Sequence, residues 1–484
     1  MAWLRKNYLI LLLAIAAGIP QIIIYNAFPV IFLNDSVWYL DLTRYFATGG
    51  YFPDYYAFSK PVQSMIIYPL GYPLFLDLCK FLGTTLAWGR SVVLCQHVLS
   101  LCSVLLVFLI GIRISRRVEG FLAALAYALY LPRMIYAQSI MAETLCIFLS
   151  LLSIYIFFDI LFEQVGKYKG LLLGIVAALA VLTKPLAILG AGVFFVYLLI
   201  SRIRKGDILK FILSFAVIIS ANFIYNGYFF GQCVLTTSSG IHLANRVFGY
   251  DRLIDEKNPE TRKIISQCVK SGLVFRFPGE WWDYFRALRS NGLSAQDADH
   301  LLMKAAMAGI RSNPSLYIKN TFLVFKKNIL EEDHWIDHRW VLTKEDYSQY
   351  LHDWSTYPGG ILPSAEYASR QKMLRTIAVD FPKGSSHALG VQWMVFFDNN
   401  ILIWRGFLGW VFLFSCFYGL FAGDKHLFFF SVFTIISFLF IALTESPYPR
   451  YFETFVPIVF LLILLAFSTF LKKIPFKLDH KAGH

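Results

Sequence analysis

From Ser91 to Ile112 the chain reads SVVLCQHVLSLCSVLLVFLIGI, without a single Asp, Glu, Lys or Arg. A run of this length and polarity belongs in lipid, where a spanning helix needs about 20 mostly apolar residues and must satisfy its own backbone. Comparable runs recur along the chain. With 57% hydrophobic and only 15% charged residues among 484, the composition lies outside that of a soluble domain. The fold class is therefore an α-helical, polytopic membrane protein. A net charge of +13 would suit nucleic acid in another setting. Here Lys and Arg fall in short clusters between apolar runs, as in cytoplasmic loops, and no nucleic-acid partner is expected.

Spans are expected over residues 8–28, 91–112, 118–131, 141–162, 170–182, 186–200, 208–230, 401–421, 427–443 and 455–471, about ten in all. The first is read as a retained helix, because it is long and lacks a small-x-small cleavage site. Residues 65–82 are apolar, but Pro69, Gly71 and Pro73 make them a poor continuous span, so an interfacial or re-entrant segment is expected. Both chain ends are placed in the cytoplasm by the basic clusters around Arg113, Arg116, Arg117, Arg204 and Lys472. The chain divides into an N-terminal transmembrane module (1–230, with a first outer loop at 34–90), an extracytoplasmic region (231–394), and C-terminal helices with a basic tail (395–484). In the middle region, residues 294–310 and 314–330 read as helices, the second lying at the interface rather than crossing it.

Polar residues expected at the outer boundary are Asp35, Asp41, Arg44, Asp54, Lys60, Glu143, Lys184, Arg450 and Glu453. A one-sided distribution suits chemistry at one leaflet better than an ion path through mid-membrane. Asp35, in FLNDSVWYLDL, is ionised at neutral pH and available as a general base; Asn34-Asp35-Ser36 is equally good helix-capping chemistry. Glu143 in SIMAETL sits where a carboxylate favours the positive end of a helix, or where it can orient a substrate hydroxyl. Lys184 in LTKP needs either a snorkelling path or an anion. Arg450 and Tyr451 in ESPYPRYFETFVP offer donors suited to a phosphate. Tyr68 and Tyr72 in IYPLGYPLF can line a groove, as interfacial aromatics also do in any membrane protein.

The seven cysteines show no metal-ligand spacing; Cys233 and Cys268 are the only two placed to pair on the outer side. The run Glu331-Glu332-Asp333-His334 to Asp337-His338 matches no standard metal pattern and reads as a solvated loop. No resident metal site is assigned, and a requirement for a divalent metal is left open.

The order of NDSVWYLDLTRYF, YPLGYPLFL, MAETL, LTKP, SSGIHLANRVFGYD and PRYFETFVPIVFLL resembles the GT-C glycosyltransferases. It is most similar to their protein mannosyltransferase and aminoarabinose transferase groups. That resemblance implies transfer of a sugar, with inversion, from a polyprenyl-phosphate carrier to a lipid, glycan or protein acceptor. It implies Asp35 as catalytic base, Glu143 as a second catalytic acidic residue, and Lys184, Arg450 and Tyr451 at the donor phosphate. Tyr68, Tyr72, Lys60 and His242 fall where the substrate groove is expected. A bacterial inner membrane, with the site facing the periplasm or exterior, is part of the same expectation. Asp-Ser stands where protein mannosyltransferases carry Asp-Glu, which weakens the case for a protein acceptor. A transporter or flippase of lipid-linked saccharides is the competing reading.

Overall fold

The computed structural model describes residues 2–32, 35, 36, 39, 40, 43, 68–82, 88–163, 168–201, 203–236, 238–271, 281–330, 406–444 and 450–473. The helices are α1 (Ala2–Ala27), α2 (Gly71–Leu82), α3 (Trp88–Ile114), α4 (Arg117–Ala128), α5 (Leu131–Gln138), α6 (Glu143–Glu163), α7 (Lys169–Thr183) and α8 (Ile188–Ile200, after a 3-10 turn at Pro185–Ala187). They continue with α9 (Lys205–Phe230), α10 (Ser239–Ala244), a π-helical turn (Asn245–Tyr250), α11 (Pro259–Lys270), α12 (Trp281–Ser290), α13 (Ala295–Ser312) and α14 (Pro314–Leu330). The last three are α15 (Gly406–Phe421), α16 (Lys425–Thr444) and α17 (Arg450–Lys473).

Among the described residues six helices, α1, α3, α6, α9, α16 and α17, contain stretches long and apolar enough to cross a membrane. A seventh span forms if α4 and α5, bent by 54° to one another, are counted together. Helices α7, α8 and α15 are shorter apolar helices, so length and composition establish fewer spans than the ten expected. Large side chains such as Ile212, Leu213, Val217 and Ile224 on α9 face outward from the bundle, as a lipid-facing surface requires.

Charged pairs mark one end of the bundle. Asp159 near the end of α6 meets Arg113 of α3 at 2.5 Å and Lys169 of α7 at 2.6 Å. Lys473, at the end of α17, donates to the carbonyl of Ala422 at 2.8 Å. Helices α3 and α4 meet at the same end through glycine. A Cβ on Gly111 would sit 2.4 Å from Gly120 Cα, a backbone approach that only small residues permit and that membrane helices use for packing.

Helices α10 to α13 form a separate cluster around Val247, Phe248, Ile264, Leu288 and Leu302. Its helix starts are capped: Asn258 accepts from the amides of Glu260 and Thr261 at 3.0 and 3.2 Å, and Ser294 from that of Asp297 at 3.0 Å. Neither α11, α12 nor the π turn was expected from the sequence, since short amphipathic helices lack the length signal of a span. The cluster is pinned to the membrane bundle by Arg246. This fully buried arginine pairs with Asp251, donates from Nε to the carbonyl of Ala442 on α16 at 3.3 Å, and lies between the Tyr250 and Tyr317 rings. Burial raises the Asp251 carboxyl above the usual range, against the opposing pull of Arg246. Helix α14 touches helix ends on both sides: the Tyr317 hydroxyl donates to the Leu443 carbonyl, and a Cβ on Gly409 would meet Ile329 O at 2.6 Å.

Cys233 and Cys268, whose pairing the sequence left open, are both free thiols. Cys268 is buried in the α10–α13 cluster, while Cys233 is exposed just after α9.

Replacing Gly111 by Val should force α3 and α4 apart and lower stability by about 1–3 kcal/mol. Thermal unfolding of the detergent-solubilised protein measures this; a melting temperature equal to wild type would show that the close crossing contributes nothing.

Candidate active site

At the opposite end from Asp159, α6 begins with Glu143 and α7 ends with Thr183. Lys184 leaves the helix in an extended conformation, φ −147° and ψ 118°, because a residue that precedes proline is pushed out of the helical region. Its Nζ donates to Glu143 Oε1 at 2.7 Å. The Glu143 side chain has no exposed surface and that of Lys184 is 11% exposed. The amine between two apolar helices is thus met by an anion rather than by a path to water. Glu143 Oε2 has no hydrogen-bond partner among the described residues, which leaves it able to accept from a ligand.

Helix α2 lies directly on this corner. A Cβ on Gly71 would come within 2.6 Å of Leu182 C and 2.8 Å of Thr183 N, so α2 starts against the last turn of α7. The next residue, Tyr72, donates from its hydroxyl to Gln96 Oε1 at 2.7 Å. Gln96 in turn donates to the carbonyls of Ala137 and Ser139 at 3.0 and 2.6 Å. Tyr39 joins the group, with its ring 4.6 Å from that of Tyr68 and 4.7 Å from that of Tyr72.

The segment carrying Asp35 is fastened to the segment that leads into Glu143. Ile31 N donates to Gln138 O at 3.1 Å and Ile140 N donates to Ile31 O at 2.9 Å, forming an isolated parallel bridge between Ile31 and Ser139. Ser36 Oγ donates to Ile140 O at 2.6 Å. Asp35 itself is buried, and its carbonyl accepts from Tyr39 N at 3.3 Å, so it heads a helical turn.

The structure therefore gathers Asp35, Tyr68, Tyr72, Glu143 and Lys184 at one end of the bundle. His242 lies on α10, in the separate α10–α13 cluster, near Asp299. Burial raises the Asp299 carboxyl, while amide donation from Ile241 at 2.9 Å opposes the rise. Arg450 and Tyr451 form the first turn of α17, and their side chains lie outside what is described. Lys60, Asp41, Arg44, Asp54 and the run from Glu331 to His338 also lie outside the described residues. Among the described residues no three His, Cys, Asp or Glu side chains converge as a metal site. Sequence reasoning passed over Gln96, whose signal was a polar side chain inside an otherwise uncharged span.

Below the ion pair is a cavity of about 40 Å³ bordered by Cys146, Ser150, Lys184, Phe433 and Thr454. It is large enough for water and too small for a sugar, so a bulkier ligand entering here must part α6, α8, α16 and α17.

Residues 69–225 match the family model of dolichyl-phosphate-mannose-protein mannosyltransferases. The matched segment contains Tyr72, Glu143 and Lys184, while Asp35, Tyr68, His242 and Arg450 lie beyond it. No curated protein matches the chain. Among solved structures, the Archaeoglobus fulgidus oligosaccharyltransferase tethered with an acceptor peptide is 11% identical, covering 98% of this chain and 51% of its own, with a TM-score of 0.45. AglB of the same organism, in complex with an inhibitory peptide and a dolichol-phosphate, is 12% identical, covering 97% and 51%, with a TM-score of 0.43. ArnT from Cupriavidus metallidurans bound to undecaprenyl phosphate is 11% identical, covering 96% and 78%, with a TM-score of 0.37. The chain spans about half the length of the archaeal enzymes.

Lys184→Met strands the Glu143 carboxylate in a fully buried position and should destabilise the protein by about 3–5 kcal/mol. Glu143→Gln introduced on top should recover most of that loss. Thermal unfolding of the two single variants and the double variant gives the coupling, and simple additivity would show that the pair does not act as a unit.

Proposed function

We propose that this protein transfers a sugar from a polyprenyl-phosphate carrier to an acceptor hydroxyl, on the side of the membrane where Asp35, Glu143 and Lys184 lie. The observation that carries the reading is the buried Glu143–Lys184 pair, set inside the family-matched segment and beside the strapped-down loop of Asp35. The orientation follows from charge. Arg113, Arg116, Arg117, Lys169, Arg204 and Lys473 belong to the opposite end, which the positive-inside rule assigns to the cytoplasm. The site then faces the periplasm or exterior of a bacterial inner membrane.

In the proposed reaction the acceptor oxygen attacks the anomeric carbon from the face opposite the phosphate, inverting it. The bond from that carbon to the phosphate oxygen breaks, and the phosphate leaves on the carrier. Asp35 takes the proton of the acceptor hydroxyl as general base. Negative charge grows on the departing phosphate, and Lys184, with Arg450 and Tyr451 at the head of α17, supplies donors for it. A phosphate reaching Lys184 competes with Glu143 for the amine. The carboxylate released in this way can accept a sugar or acceptor hydroxyl through its uncommitted oxygen. Tyr68 and Tyr72 flank the approach, with Lys60 and His242 assigned to the wider groove.

The test is transfer of labelled sugar from polyprenyl phosphate by purified protein, with a chelator arm to read any divalent-metal requirement. Asp35→Asn should lower the rate by about a hundredfold or more, the scale of general-base catalysis, with yield and melting temperature unchanged. A full rate in Asp35→Asn would remove the base from the scheme. Absence of transfer with every donor, together with movement of intact lipid-linked sugar between leaflets, would favour a flippase.

A further inference from the structure

The loop that carries Asp35 is held in place by polar side chains that the reaction itself does not use. Helix α1 ends at Ala27, and the last carbonyls of a helix have no partner within it. Gln138, fully buried at the end of α5, donates from one amide nitrogen to both Phe28 O and Pro29 O, each at 2.9 Å. That double donation fixes which way the amide faces, so its oxygen is turned to His97 Nε2 at 2.8 Å. His97 must then carry its proton on Nε2, an assignment drawn from the network. Because His97 sits inside the α3 span and is itself buried, this hydrogen bond exchanges with nothing in lipid.

The clamp is buttressed from behind. With its amide turned so that both ends find partners, an assignment drawn from the network, Gln21 of α1 donates to His97 O at 2.8 Å and accepts from Ser100 Oγ at 2.9 Å and from Arg133. Arg133, also buried, donates to Ser100 Oγ and to Ala128 O at 2.7 Å each and lies over the Tyr127 ring. Ala128 is the last residue of α4, so Arg133 spans the 54° bend that sets where α5, and hence Gln138, points. No acidic side chain pairs with Arg133 among the described residues. A membrane-embedded cation committed to such contacts is an expensive feature to retain for packing alone.

We infer that Gln138 and His97 are positioning residues, holding the Asp35 segment in register with the segment that leads into Glu143. The backbone bridge at Ile31 and Ser139 and the Ser36 bond to Ile140 directly follow the Phe28 and Pro29 carbonyls that Gln138 holds. Asp35 follows Ile31 by four residues and Glu143 follows Ile140 by three, so the clamp sets their mutual placement within a short, bonded frame. The consequence for rate rests on the proposed role of Asp35; the consequence for the backbone does not.

Two readouts test this on the full-length protein. In His97→Leu, amide hydrogen exchange should speed up by about tenfold at Ile31 and Ile140, reflecting one lost buried hydrogen bond, while Lys184 N keeps its protection. The turnover number should fall by about tenfold or more, with KM for the donor within about twofold, the signature of a misplaced reacting group. His97→Gln, which restores a donor towards Gln138, should return both to near the wild-type value. If His97→Leu gives no folded protein, Gln138→Met removes the same clamp and is read in the same way. Unchanged exchange at Ile31 and Ile140 in either folded variant overturns the inference, whether or not transfer is found. A wild type inactive with all donors overturns the proposed reaction instead and leaves the exchange result to decide the positioning role.

Discussion

A carboxylate and an amine removed from water between apolar helices must find each other, and the architecture of the candidate site depends on the fact that Glu143 and Lys184 do. Neither group is tolerable there alone. Their pairing ties the start of α6 to the end of α7, and Pro185 guarantees that Lys184 has left the helix and can reach across. With that corner defined, Gly71 lets α2 lie against it, and α2 brings Tyr72 and Tyr68 to the same place. An ion pair that costs desolvation energy is weak evidence for stability but good evidence for register. Here it sets the register of three helices.

The same need for partners governs the polar residues inside the spans. In lipid a backbone or side-chain group without a partner costs several kcal/mol, so Gln96, His97, Gln138, Gln21 and Arg133 are bound into connected contacts rather than scattered. Adjacent residues on α3 serve different segments. Gln96 holds Tyr72 and the α5–α6 link, and His97 faces the amide that holds the end of α1. A transmembrane helix with two consecutive polar residues thereby becomes the hub to which both acidic segments refer.

The α10–α13 cluster attaches by different means. Arg246, in contact with the Tyr250 and Tyr317 rings and paired with Asp251, reaches the last turn of α16. A planar cation suits this joint, since it satisfies a carboxylate, a carbonyl and two aromatic faces at once. The joint places the cluster close to the end of the bundle from which Arg450 starts α17.

The sequence by itself determined where the apolar runs lie, because the length and charge of a span are local properties that no packing arrangement alters. Helices α1, α3, α6, α9, α16 and α17 fall close to the expected segments for that reason, and Pro185 and Glu143 read correctly as markers of helix ends. What only the tertiary structure decided is which polar groups meet. Glu143 and Lys184 are 41 positions apart and Ser36 and Ile140 are 104 apart, and nothing in one-dimensional spacing selects those partners over others. The bend between α4 and α5, the burial of Cys268 away from Cys233, and the use of Gln138 as a clamp belong to the same class. Each depends on contacts between segments distant in sequence, and those contacts exist only when all the helices are in place.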